Sequence, residues 1–314
     1  MIKAGTLMVP VRFFLLDIYV RTDTVGVSFL EINKMCNNPI FLNLKREVDE
    51  NGDVHCFSAI AEKHTEYTIP VSCGKCVECA QAYSKQWALR MLHEYEDSER
   101  VGCFLTLTYE KTDGSLYVDD VQRFIKRLRK RIAPLKVRYF CCGEYGSKGL
   151  RPHYHLVLFG FRPSDMVIFR EKDNLYTSSM IDKIWHGDQT MPSTRVPGFH
   201  SIGDITFDSL IYVAKYLQKL SKHPDGTVLP FTTMSRRPGI ALSRLHHSDS
   251  GVFYVHGKKI NEPRRYLERA AMSGIDVQPI IDDRVNRAKL LCRSSETLEA
   301  SRNREKILIH KLST

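Results

Sequence analysis

The order of strands and helices between residues 101 and 221 predicts an α+β domain built on an antiparallel sheet. Three observations carry this expectation. Residues 101–110, VGCFLTLTYE, have the β-branched and aromatic content of a strand. A helix then opens at Asp119 and Asp120, places Val121, Phe124, Ile125, Leu128 and Ile132 on one face, and stops before Pro134. Two more strand-like runs, 136–144 and 153–160, flank the turn-rich Gly146-Ser-Lys-Gly149, the pattern of a hairpin.

The remaining elements follow in order. The first seventy residues hold little beyond short apolar runs of strand character, such as 25–32. After Pro70 comes Cys73-Gly-Lys-Cys76-Val-Glu-Cys79, then a helix expected to end near residue 97. Its residues Ala80, Tyr83, Trp87, Met91 and Tyr95 recur at helical spacing. A short helix around 178–186, a strand near 200–206 and a strong helix at 208–221 complete the central region, whereas 230–265 reads as irregular. The mixed-charge tail from 276 onward has helical character. The expected organisation is an N-terminal extension over 1–70, a core over 71–225 that includes the cysteine-rich helix, an irregular accessory segment over 226–275, and a C-terminal tail over 276–314.

Composition narrows the partners. With 43 % hydrophobic and 26 % charged residues the chain has the make-up of a folded protein. The excess of 46 Lys+Arg over 36 Asp+Glu, a net charge of +10, favours a polyanion, with nucleic acid first. The most apolar early run, 9–20, is broken by Arg12 and Asp17, so neither a membrane span nor a signal peptide is expected. Nine unevenly placed cysteines do not make a secreted disulfide framework, which leaves the cytosol as the expected compartment.

The first chemical signal is His153-Tyr154-His155. Strand side chains alternate faces, so the two imidazoles project together and can chelate one metal ion. If 136–144 and 153–160 pair as a hairpin, Glu144 comes alongside and adds an oxygen ligand. Two histidines and a carboxylate also describe a non-haem iron oxygenase site. The second signal separates these. On the helix at 208–221, Leu210, Val213, Ala214, Leu217 and Leu220 form the apolar stripe, while Tyr212, Lys215, Tyr216 and Lys219 fall at i, i+3, i+4 and i+7 on the opposite side. Tyr-x-x-Lys is thus written twice, one turn apart. A phenol, with a pKa of about 10, needs activation to attack phosphorus, and a lysine one turn away favours the phenolate or steadies phosphate charge. An oxygenase reading leaves the paired motif unexplained.

Taken in order, several motifs resemble the HUH endonuclease superfamily (histidine, hydrophobic residue, histidine), and within it the replication initiation proteins of microviruses, most of all the gokushovirus branch. They are Phe104-Leu-Thr-Leu-Thr108-Tyr109, Cys142-Gly-Glu-Tyr-Gly146, Arg151-Pro-His-Tyr-His155 with Leu158-Phe-Gly160, Tyr212-Val-Ala-Lys-Tyr216, and Thr233-Met-Ser-Arg-Arg-Pro-Gly239. Cys73-Gly-Lys-Cys76 is also similar to that branch. The resemblance spans roughly residues 70–270. It implies a ferredoxin-like (RRM-like) nuclease fold, His153, His155 and Glu144 as ligands of magnesium or manganese, and Tyr212 and Tyr216 as nucleophiles. It further implies single-stranded or supercoiled viral origin DNA as substrate, a host helicase and DNA polymerase as partners, and the cytoplasm of a bacterial host as the place of action. A plasmid-type initiator, a transposase or a non-catalytic DNA-binding protein are the alternative readings.

Two further features are candidates. Between 121 and 138 there are eight Lys or Arg and no acid, and Arg123, Lys126, Arg127, Lys130 and Arg131 lie off the apolar stripe, fit to track a phosphate backbone. Arg236 and Arg237, before Pro238, are a second DNA-binding candidate. Cys73, Cys76 and Cys79 are three soft ligands for a structural zinc, with Cys56, His93 and Cys103 as conceivable fourth ligands.

Overall fold

The computed structural model of the chain describes residue 36 and residues 38–48, 54–61, 68–146, 149–187, 194–215, 224–291 and 303. The described residues group into two units, one drawn from 1–83, 247–254 and 259–314, the other from 84–246 and 255–258.

The first unit begins with a three-stranded antiparallel sheet. Strand β1 (Ile40–Val48) pairs with β2 (Val54–Ile60) on one side and with the short β3 (Ile69–Val71) on the other. Helix α1 (Val77–Asp97) starts in this unit, just after the cysteine-rich turn. The expected run at 25–32 lies outside the described residues.

The second unit is the α+β domain expected from the sequence. Its sheet comprises β4 (Gly102–Lys111), β5 (Arg138–Tyr145), β6 (Pro152–Phe159), β7 (Met166–Arg170), β8 (Leu175–Ser178), β9 (Val196–Gly203) and β10 (Phe231–Met234). The order is β10-β5-β6-β4-β9-β8-β7, and every neighbouring pair is antiparallel. Alternation on β4 decides which side chains face which way: Leu105, Leu107 and Tyr109 are fully buried, whereas Phe104, Thr106 and Thr108 are half-buried on the other face.

On the first face lie α2 (Val118–Ile132) and α3 (Ser179–His186). Helix α2 follows its amphipathic pattern, burying Val121, Phe124, Ile125, Leu128 and Ile132 against Leu105, Leu107, Tyr154, Leu156 and Trp185. Asp119 and Asp120 in its first turn and Arg129, Lys130 and Arg131 in its last suit the helix dipole. Helix α3 is capped by Ser178, whose hydroxyl accepts from the Ile181 amide at 3.2 Å. Asp120 anchors this layer: its Oδ2 accepts from the Tyr109 hydroxyl at 2.6 Å and from Arg195 at 3.0 Å.

On the second face lie the part of α1 beyond residue 83 and helix α4 (Phe207–Lys215). Trp87 of α1 stacks obliquely 5.5 Å from Phe140 of β5, and the Ser84 hydroxyl donates to the Ala214 carbonyl of α4 at 3.4 Å. Helix α4 buries Leu210, Val213 and Ala214, as its apolar stripe predicts.

The chain closes with a ribbon of β11 (Val252–Val255) and β12 (Lys258–Asn261), then α5 (Arg264–Met272) and α6 (Gln278–Leu291). In the first unit, Leu267 and Ala270 of α5 pack on Ile280 and Ile281 of α6, and Val285 of α6 reaches Ile69 and Val71. Three expectations need correction. Residues 230–265 are not irregular, since β10, β11 and β12 lie there; the strand expected near 200–206 is Val196–Gly203; and the β7–β8 hairpin was not foreseen. Of the helix expected at 208–221, residues 216–221 lie outside the described residues.

Candidate active site

The β5–β6 hairpin assembles the metal-ligand candidates. Its register sets Glu144 directly opposite His153 and Cys142 opposite His155, so all three candidate ligands share the second face. Glu144 Oε1 lies 2.8 Å from His153 Nε2 and 3.0 Å from His155 Nε2. The other neighbour of β6 contributes as well. Strand β4 sets Thr106 opposite His155, and the Thr106 hydroxyl is 3.0 Å from His155 Nδ1. His153 Nδ1 lies 3.0 Å from the Arg151 carbonyl oxygen, which can only accept, so that nitrogen carries the hydrogen.

Those outer contacts bear on what the cluster can hold. With its hydrogen on Nδ1, neutral His153 turns a bare Nε2 lone pair toward a carboxylate oxygen. Two acceptors at that separation repel unless a proton or a cation sits among them. Glu144 and His155 are buried and His153 nearly so, and the three ligand atoms lie within 4.8 Å of one another. The donor set therefore fits one divalent ion. Without it, the groups share protons. Burial raises the Glu144 carboxyl, but the hydrogen bonds from His153 and His155 outweigh it and hold the group below its ordinary value. For His153, burial lowers the ring, yet Glu144 and the Arg151 carbonyl bring it net above its usual value. Burial dominates at His155 and holds it below the usual imidazole value.

Tyr212 stands beside this cluster. Its ring centroid is 5.3 Å from that of His155 and 6.5 Å from that of Phe104, both edge-on, and the residue remains 43 % exposed. Lys215, one turn on, is exposed. Tyr216 and Lys219 lie outside the described residues.

The basic candidates go elsewhere. Lys126, Lys130 and Arg131 lie on exposed positions of α2, across the sheet from the histidines. Arg127 is committed to α3, donating to the carbonyls of Ile184 at 2.8 Å and Trp185 at 3.1 Å. Arg236 and Arg237 follow β10, whose Met234 pairs with Phe140, toward the opposite end of β5 from Glu144. There they line a groove with Arg129 and Lys136, which sequence reasoning did not single out.

The cysteine turn gains a partner. Cys36, not Cys56, His93 or Cys103, joins Cys73, Cys76 and Cys79. Cys103 is core, its thiol pushed up to about 12 by burial, and His93 stacks on His246 at 4.4 Å. The side chain of Cys56 is outside the described residues. Thr106 and Arg151, which orient the two imidazoles, were also missed; cross-strand register, invisible without the fold, is what identifies them.

Fold and site together define an α+β protein with a two-histidine, one-glutamate cluster on the open side of an antiparallel sheet. Residues 102–221 match the family model for the replication-associated protein ORF2. The chain is 32 % identical to the replication-associated protein VP4 of Bdellovibrio phage phiMH2K over 74 % of its own length and 76 % of the relative's. It is 30 % identical to the replication-associated protein ORF2 of Spiroplasma virus 4, over 54 % of this chain and 53 % of that one. A third relative, the replication-associated protein ORF4 of Chlamydia phage 1, is 29 % identical over 49 % of this chain and 39 % of its own. No solved structure matches. The chain belongs to the replication-associated proteins of small phages, as a microvirus-type replication initiator. Among the described residues, no helix is long and apolar enough to cross a membrane.

Proposed function

We propose that the protein starts rolling-circle replication by nicking one strand of the viral origin through tyrosine, remaining covalently attached to the 5′ end. The observation that carries this reading is the placement of Tyr212 against His155, at the edge of a buried two-histidine, one-glutamate cluster. The phenolic oxygen of Tyr212 attacks phosphorus, the bond to the 3′ oxygen breaks, and the phenolic proton is given up as the 3′ oxygen takes one. The products are a 5′-phosphotyrosine and a free 3′-hydroxyl. Lys215 favours the phenolate and steadies charge on the phosphate. Magnesium or manganese, held by Glu144, His153 and His155, would polarise the scissile phosphate.

The phosphodiester keeps the energy of the bond it replaces, so the step is reversible and the same chemistry rejoins ends. Tyr216 takes the second attack while Tyr212 still holds a strand, with Lys219 serving it as Lys215 serves Tyr212. The exposed rings of Phe169 and Phe199, paired 5.1 Å apart, offer stacking surfaces for unpaired bases. The basic surfaces of Lys126, Lys130 and Arg131 and of Arg236 and Arg237 bind flanking DNA. The nuclease core is residues 71–225, with 226–275 as an accessory segment and the two termini as extensions. A host helicase and polymerase extend the 3′ end in the bacterial cytoplasm.

The test is incubation of labelled single-stranded origin DNA with protein and manganese, resolved on a denaturing gel. Wild type should give an adduct that survives denaturation, and Tyr212→Phe with Tyr216→Phe together should abolish it. DNA binding with neither nick nor adduct under any divalent metal would leave a non-catalytic DNA-binding protein instead.

A further inference from the structure

Four cysteines of the first unit meet at one point from two separate stretches of chain. Cys36 precedes β1, and Cys73, Cys76 and Cys79 follow β3, so the intervening chain is the three-stranded meander itself. Pairing of Ile40 with Val71 brings the two ends of that meander together. All four thiols are buried, and their sulfurs lie within 4.8 Å of one another.

Distance decides what such a cluster is for. The Cys36 and Cys76 sulfurs are 3.8 Å apart, far beyond the roughly 2.0 Å of a disulfide. A tetrahedral zinc ion with Zn–S of about 2.3 Å sets its sulfurs about 3.8 Å from one another. An iron–sulfur cluster distributes its cysteines over several irons and would hold them farther apart than ligands of one ion. The backbone is arranged for anionic sulfur as well. Amides of Lys75 and Cys76 donate to Cys73 Sγ at 3.4 and 3.3 Å, and the Cys73 amide donates to Cys36 Sγ at 3.2 Å. The Cys73-Gly74-Lys75-Cys76 turn achieves this with Gly74 at φ +71°, a conformation that glycine adopts without strain. Buried sulfurs ringed by N–H donors suit thiolates rather than apolar filler.

We infer that Cys36, Cys73, Cys76 and Cys79 hold one structural zinc ion that clasps the open end of the β1–β3 meander. All four positions are protein thiolates, so the ion is closed to water and takes no part in chemistry on DNA. The inference stands apart from the nuclease reading, because the two clusters share no residue.

The full chain, purified without chelator, tests it through metal content. To separate this ion from any zinc at the histidine cluster, the measurement is made in a His153→Ala, His155→Ala background. One zinc per chain is expected, retained through dialysis and released stoichiometrically by an organomercurial. Cobalt in its place should give thiolate charge-transfer and tetrahedral d–d absorption. Cys36→Ser should lose most of the zinc, Cys36→His should retain it with a shifted cobalt spectrum, and Cys103→Ser should keep both unchanged. Iron with acid-labile sulfide, disulfides among the four, or four freely titrating thiols with no metal would each overturn the assignment. So would full zinc retention in Cys36→Ser.

Discussion

Thr106 touches no proposed substrate, yet it holds one of the two imidazoles at a set angle. Replacing it by valine removes the hydrogen bond to His155 Nδ1 while keeping the shape of the side chain. Manganese affinity should fall about 10- to 100-fold, the usual effect of deleting an orienting partner, with the melting temperature nearly unchanged; calorimetric titration reads both. Asp120 acts on stability instead. It is fully buried between Tyr109 and Arg195, so Asp120→Ala leaves Arg195 without its carboxylate and should cost about 3–5 kcal/mol in denaturant unfolding. A third residue sets a pH dependence. Burial, aided by the neighbouring His246 ring, pushes His93 from 6.5 down to about 4. The unfolded chain therefore binds the proton first as pH falls. Stability is lost between about 6.5 and 4 and the loss levels off below, by up to about 3 kcal/mol from this group. His93→Leu should flatten the wild-type slope of melting temperature against pH across that window.

At the scale of elements, the hairpin is the part of the site most legible in the sequence. The period of two on β6 and the turn at Gly146 are enough to put Glu144 beside His153, and the stripe on α4 is enough to leave Tyr212 outside it. The β7–β8 hairpin escaped notice because its exposed face, Val167, Ile168 and Phe169, carries no alternation. Cys36 escaped because 36 residues of weakly patterned chain separate it from Cys73, so only the pairing of β1 with β3 reveals it. Strand β9 depends on a close approach. Register slips where it passes Tyr109, and a Cβ at Gly198 would collide with the Glu110 nitrogen and the Tyr109 carbonyl carbon, both backbone atoms unable to yield. Gly198→Ala should therefore lower stability by about 1–3 kcal/mol in a chemical denaturation curve.

Over the whole molecule, charge was informative about the class of partner and silent about where it binds. The surplus of ten positive charges sits partly on α2, across the sheet from the histidines, and partly in the groove beside Arg236. If about five phosphates are neutralised, affinity for single-stranded DNA should fall on the order of a hundredfold between 50 and 200 mM salt, a slope that filter binding can measure. Charge reversal at Arg236 and Arg237 together should flatten that slope by about one to two. The sheet has a different consequence. Glu144 and both histidines sit on β5 and β6, each hydrogen-bonded to strands on both sides, whereas Tyr212 rides on a short helix laid over them. Amide hydrogens around His155 can exchange with solvent only when the sheet opens as a whole, while those of the overlying helix exchange through local fraying. The ion is gripped by the slowest-opening part of the molecule, and the tyrosine is carried by a part free to give way when a strand is handed over.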